Sequence, residues 1–160
     1  MAEPSPVSRC ARAATAKEAA YRIDYPLAYA RSTRVVAFDD EAARTVRAVM
    51  DEPWGQAQFY SAPGPGHELL TVAGEARPLA GELADSDSVI MVATNRVNAE
   101  AVATVGAAAQ VRAIMTAGLL MADEDGLTGE TFMAIRPYAR ILLAPADQDD
   151  LVELLRAIRA

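Results

Sequence analysis

A chain of 160 residues in which 52% are hydrophobic is long enough to bury a core in one domain and too apolar to stay disordered. The formal net charge is −7, which argues against nucleic acid as a partner, since nucleic-acid-binding domains are basic. A single cysteine, Cys10, excludes an internal disulfide, and a single histidine, His67, leaves few routes to a catalytic zinc.

The aromatic share is 6%, so the core must be built from Ala, Val, Leu, Ile and Met. No apolar run reaches the roughly 18 residues that span a bilayer, and the N-terminus lacks a signal-peptide core. A cytoplasmic protein with no membrane partner is expected. Charge is segregated: residues 1–34 carry six cations and three acids, the remainder nine cations and nineteen acids.

Residues 1–33 read as an N-terminal arm ahead of an α/β domain spanning 34–160. Pro26 interrupts helical composition there, and Tyr21, Tyr25 and Tyr29 hold three of the five tyrosines. The arm either packs on its own domain or reaches a neighbouring subunit, and these tyrosines are the interface candidates for a homo-oligomer. Arg34–Phe38, "RVVAF", is the first strand. Asp39 or Asp40 caps the next helix, whose Ala42, Val46, Val49 and Met50 share one face; Pro53 and Gly55 end it. Ala57–Ser61 is the second strand, and "APGPGHE" is a loop. "LLTVAG" reads as a short strand and "ARPLAGELADS" as a short helix. Ser88–Ala93, "SVIMVA", has the continuous apolar run of a strand buried on both faces. Ala99–Gln110 is a helix of small residues. "VRAIMTAGLLMA" holds a strand and "DEDGLTGE" a turn, while Thr131–Tyr138 reads either way. Ala139–Leu143 is the last strand. Asp149–Ile158 is the last helix, with Leu151, Leu154, Leu155 and Ile158 as its apolar stripe.

Strands alternating with helices predict a three-layer α/β domain with a mostly parallel sheet of about five strands. In such sheets ligands bind beyond the carboxyl ends of the strands. That rule singles out Asp39 and Asp40 after the first strand, and Thr94, Asn95 and Arg96 after "SVIMVA". Thr116 and Gly118 follow in the next strand region, then Pro145, Ala146 and Asp147 after the last. A phosphate at the first junction is disfavoured, because "FDDEAAR" has no glycine and three carboxylates. Helix capping is the plainer role for the acids, and a divalent cation on Asp39, Asp40 and Glu41 is the alternative. Asn95 or Asn98 is expected to cap the following helix. Met91, Met115, Met121 and Met133 are expected to fill gaps in the core.

"RVVAFDDEAARTVRAVM" resembles the start of response-regulator receiver domains, where an acidic pair follows strand one. "RILLAPADQDDLVELLRAIRA" is similar to their last strand, proline turn and final helix. Between these ends the chain departs from the family. Val92, Ala93 and Thr94 stand where the phosphoacceptor aspartate belongs, and Ala144 replaces the lysine before the proline. The resemblance therefore implies a receiver-like fold without receiver phosphochemistry. "LAGELADSDSVIMVATN" also resembles the strand-four region of Rossmann-like domains, which implies a ligand beside Thr94 and Asn95. Two functions are expected of such a chain. One is a non-catalytic regulatory or accessory module working through protein contacts. The other is a small-ligand or nucleotide binder using the strand ends. No cofactor is expected.

Overall fold

The computed structural model describes residues 29–160. In chain order the elements are β1 (Thr33–Ala37), α1 (Asp40–Val49), β2 (Ala57–Ser61), β3 (Glu68–Thr71), β4 (Ala76–Pro78) and α2 (Leu79–Ala84). They continue with β5 (Ser88–Ala93), α3 (Ala99–Val111), β6 (Met115–Met121), α4 (Gly129–Ile135), β7 (Ile141–Ala146) and α5 (Gln148–Ile158). One seven-stranded sheet has the order β4-β3-β2-β1-β5-β6-β7. The five strands β2, β1, β5, β6 and β7 are parallel, and β3 and β4 add an antiparallel extension at the β2 edge. The parallel core is the one the sequence predicts. β3 overlaps the short strand read from "LLTVAG", but Ala76–Pro78, expected to open a helix, is instead β4, three exposed residues too short to show any alternation, and the helix keeps only Leu79–Ala84.

Among the parallel strands, β1 lies between β2 and β5, so the order reverses there. The helices follow from that reversal. A right-handed crossover places its helix on one face when the chain steps one way across the sheet, and on the other face when it steps back. The step from β1 to β2 puts α1 on one face. The steps to β5, β6 and β7 put α2, α3 and α4 on the opposite face, and α5 returns to join α1. Two buried clusters result. Val36, Met91 and Leu120 pack under Leu79, Val102 and Ile135, whereas Val35, Ile90 and Leu119 pack under Val46, Leu151 and Leu155.

Several local expectations shift. α1 is capped by Asp39, whose side chain accepts from the Ala42 amide. α5 is capped by Asp147, which forms a reciprocal capping box with Asp150. Its fully buried stripe is Leu151, Val152 and Leu155, with Leu154 and Ile158 half-buried at the margin. The helix is thus rotated so that Val152 takes the place expected for Leu154. The ambiguous stretch is helical because Thr128 caps it, accepting from the Thr131 amide. β7 begins two residues later than expected and runs through Pro145, which is tolerated because β7 is an edge strand with no outer neighbour to receive an N–H bond. Met91 and Met121 are core residues, but Met115 and Met133 are exposed. No helix among the described residues is long and apolar enough to cross a membrane.

Ahead of β1 the chain is already fixed to the body. The Arg31 amide donates to the Arg159 carbonyl at 2.8 Å, and the Ser32 amide donates to the Asp87 carboxylate at 2.9 Å. Tyr29 is 94% exposed. Tyr21 and Tyr25, like Cys10, lie outside the described residues.

Candidate functional site: a crevice at the reversal of strand order

The carboxyl ends of β1, β2 and β5 meet at the point where the strand order reverses, the place where doubly wound sheets hold ligands. β1 ends at Ala37 and leads into Phe38 and Asp39. The Phe38 amide donates across to the Val92 carbonyl of β5 at 3.0 Å, and the Ala62 amide donates to the Ala37 carbonyl at 2.9 Å. A crevice of about 390 Å³ opens beside these ends. That volume falls near the lower end of the range that small-molecule sites occupy, about 300–1,000 Å³. Its floor is small and apolar, formed by Ala37, Ala43 and Ala62, and Pro63 closes one side. Its polar rim consists of Asp39, Asp40, Arg47, Ser61, Arg96 and Asn98.

These polar groups divide into those already engaged and those free. Asp39 is engaged twice. One carboxylate oxygen accepts from the Ala42 amide at 2.9 Å and the other from the Thr94 amide at 2.8 Å. It therefore caps α1 and ties β1 to the end of β5 in one stroke. Asn98 accepts from the Glu100 and Ala101 amides, both at 3.1 Å. Each helix start bordering the crevice thus carries a side-chain cap, and at α1 the carboxylates of Asp39, Asp40 and Glu41 stand where a phosphate would approach, which disfavours a phosphate cradle there. Asp40, Arg47 and Arg96 are exposed. Neither guanidinium makes an ion pair or a side-chain hydrogen bond among the described residues.

Of the residues singled out in the sequence, Asp39, Asp40 and Arg96 come together here. Thr94 is buried beneath the crevice, where its hydroxyl accepts from the Arg96 amide at 3.2 Å and turns the chain outward. Asn95 faces elsewhere. Its amide nitrogen donates to Asp123 Oδ2 at 2.9 Å and to the Gly126 carbonyl at 2.7 Å. Its oxygen accepts from the Thr128 amide at 3.0 Å and from the Thr131 hydroxyl at 2.9 Å. A primary amide offers two donors and two lone pairs, so all of its capacity is spent on pinning the β6–α4 loop. That loop is the "DEDGLTGE" turn, closed by a bridge between Asp123 and Gly126.

Thr116 and Gly118 lie away from the crevice. Thr116 is the second residue of β6, at the opposite end of the sheet, and its hydroxyl donates to the Tyr138 carbonyl at 2.6 Å. Gly118 is mid-strand, where an added Cβ would stand 2.6 Å from Ile135 Cγ2; the glycine lets α4 approach the sheet. The sequence places both in a strand region without showing which end of the strand they occupy. His67 is exposed and contributes only its backbone carbonyl, which accepts from the Leu79 amide at 2.8 Å.

Sequence reasoning missed Arg47, Ser61 and Pro63. The strand-end rule applied to β2 would have found the last two. Arg47 had a fainter signal, since it lies seven residues beyond Asp40 on the same side of α1. Among the described residues, no group of three or more His, Cys, Asp or Glu side chains is arranged to hold a metal ion.

A second polar cluster lies under α2. Arg34, 6% exposed, donates from Nε to the Glu82 carbonyl at 3.0 Å and from Nη1 to Ser32 Oγ at 2.8 Å. The Tyr60 hydroxyl meets the Glu82 carboxylate and lies 2.6 Å from Gln58 Oε1. Burial, then the hydrogen bond to Glu82 and its negative charge, push the Tyr60 phenol above its usual value, against a smaller opposing effect of Arg34 and Arg77. Every buried side-chain polar atom among the described residues has a partner, and this cluster reads as internal scaffolding.

Fold and crevice together define a doubly wound α/β domain with an open site at its strand-order reversal. No protein-family model matches the chain, and neither does any curated protein or solved structure.

Proposed function

We propose that this domain acts by binding a small polar ligand in the crevice beyond β1, β2 and β5, and serves as a regulatory or accessory module rather than a catalyst. One observation carries the reading. The capping and structural polar groups around the crevice are satisfied inside the protein, while Arg47 and Arg96 line it without an ion pair or a side-chain hydrogen bond among the described residues. A receiver-like domain with Val92, Ala93 and Thr94 in place of the phosphoacceptor and Ala144 in place of the lysine belongs to the same reading, since it would signal by occupancy and not by phosphoryl transfer. The test is thermal denaturation of the full chain against nucleotides, amino acids, organic acids and divalent cations. A ligand at 100 times its dissociation constant adds about 2.7 kcal/mol, which for a chain of this size raises the melting temperature by about 5–10 °C. Absence of any shift across the panel at millimolar concentration overturns the proposal.

A second reading, contact with another protein or another copy through the N-terminal arm, is favoured by Tyr29. A tyrosine this exposed offers apolar area with a polar tip, a composition that interfaces favour.

A further inference from the structure

We propose that the ligand of this crevice is a small carboxylate carrying a hydrogen-bond donor close to its acid group, that is, an amino acid or a hydroxy acid; this rests on the crevice being a binding site. Three features of the lining lead there. The free charges are of both signs: Arg47 and Arg96 are cationic, and Asp40 is anionic. Asp39 adds a carboxylate whose two oxygens already accept backbone amides. A ligand that only donates leaves the guanidiniums without a counter-charge. A ligand that is only anionic meets Asp40. A compound bearing a carboxylate for the arginines and an ammonium or hydroxyl for Asp40 satisfies both, and guanidinium geometry suits carboxylates well.

The lining also disfavours a nucleotide. Phosphate sites use helix starts free of negative charge, whereas here the start of α1 carries the carboxylates of Asp39, Asp40 and Glu41, and Asn98 caps the start of α3. Bases stack on exposed aromatic faces, and the one aromatic residue of the lining, Phe38, is 3% exposed. Size agrees with this. The crevice of about 390 Å³ suits a molecule of amino-acid dimensions, and its alanine floor accepts a short apolar side chain. Ser61 and the Asn98 amide nitrogen supply additional polar contacts at the rim.

The experiment is calorimetric titration of the full chain with four probe sets: proteinogenic amino acids, 2-hydroxy acids, the matching plain carboxylates, and inorganic phosphate with nucleoside monophosphates. An amino or hydroxy acid is expected to bind at least tenfold more tightly than its plain carboxylate. R96Q and R47Q are each expected to weaken that binding tenfold or more. D40N is expected to remove the preference for the donor-bearing ligand while leaving the plain carboxylate's weak affinity in place. Circular dichroism and melting temperature check that each variant is folded, which these exposed positions favour. Binding of phosphate or nucleotide in preference, lost in R96Q, overturns the ligand class but keeps the crevice. Binding that R47Q and R96Q leave unchanged, or no binding by any probe, overturns both.

Discussion

Replacing Asp39 by alanine tests the central joint of the fold. The side chain makes two bonds, one to the Ala42 amide at the start of α1 and one to the Thr94 amide at the end of β5. Loss of an N-cap costs about 0.5–2 kcal/mol. Thr94 is 3% exposed, so its amide loses its partner in a place water reaches poorly, at a further cost of about 1–3 kcal/mol. The two losses share one side chain and are not strictly additive, so Asp39→Ala should destabilise by about 2–4 kcal/mol. Asp39→Asn keeps one oxygen but turns an amide group toward the other N–H, and should lose about half of that. Asp40→Ala, at an exposed first-turn position, should cost under about 1 kcal/mol, the scale of a helix-dipole interaction. Urea denaturation with a common m-value measures all three. An Asp39→Ala cost below 1 kcal/mol, or one equal to that of Asp40→Ala, refutes the assignment of Asp39 as the joint.

Leu155→Ala should cost about 2–5 kcal/mol and half-buried Leu154→Ala clearly less; equal losses in denaturant melts would show α5 rotated from its described position. Asn95→Ala leaves the Thr128 amide and the Gly126 carbonyl without their partner, so hydrogen exchange should accelerate across residues 123–128 while β1 and β5 stay protected; unchanged exchange there removes Asn95 from its pinning role. Stability should fall as pH rises above about 10, because the Tyr60 phenol is held above its unfolded value. The neutral phenol's contribution is fully present below the unfolded pKa of about 10 and is lost above it. Tyr60→Phe should flatten that slope above about pH 10, and an unchanged slope rejects the cause. If the arm joins subunits, a chain lacking residues 1–29, Tyr29 included, should scatter light as a smaller species than the full chain; an identical assembly state ends that reading.

The strands and most helices were legible from short-range pattern, for a physical reason. "VIMVA" is buried on both faces and is wholly apolar, and "DDLVELLRAI" must keep one apolar stripe to cover the sheet. Caps were legible too, though choosing Asp39 over Asp40 needed the structure, because the choice turns on the Thr94 amide 55 residues away. Tertiary structure alone decided the rest. Asn95 and Arg96 are adjacent in sequence, yet one is spent on the β6–α4 loop and the other lines the crevice. Thr116 and Asp39 both read as strand-end polar residues, yet they stand at opposite ends of one sheet. The crevice draws on α1, β2 and the β5–α3 turn. Its composition therefore depends on which strand lies beside which, and strand order is set by long-range packing that no local stretch of sequence encodes.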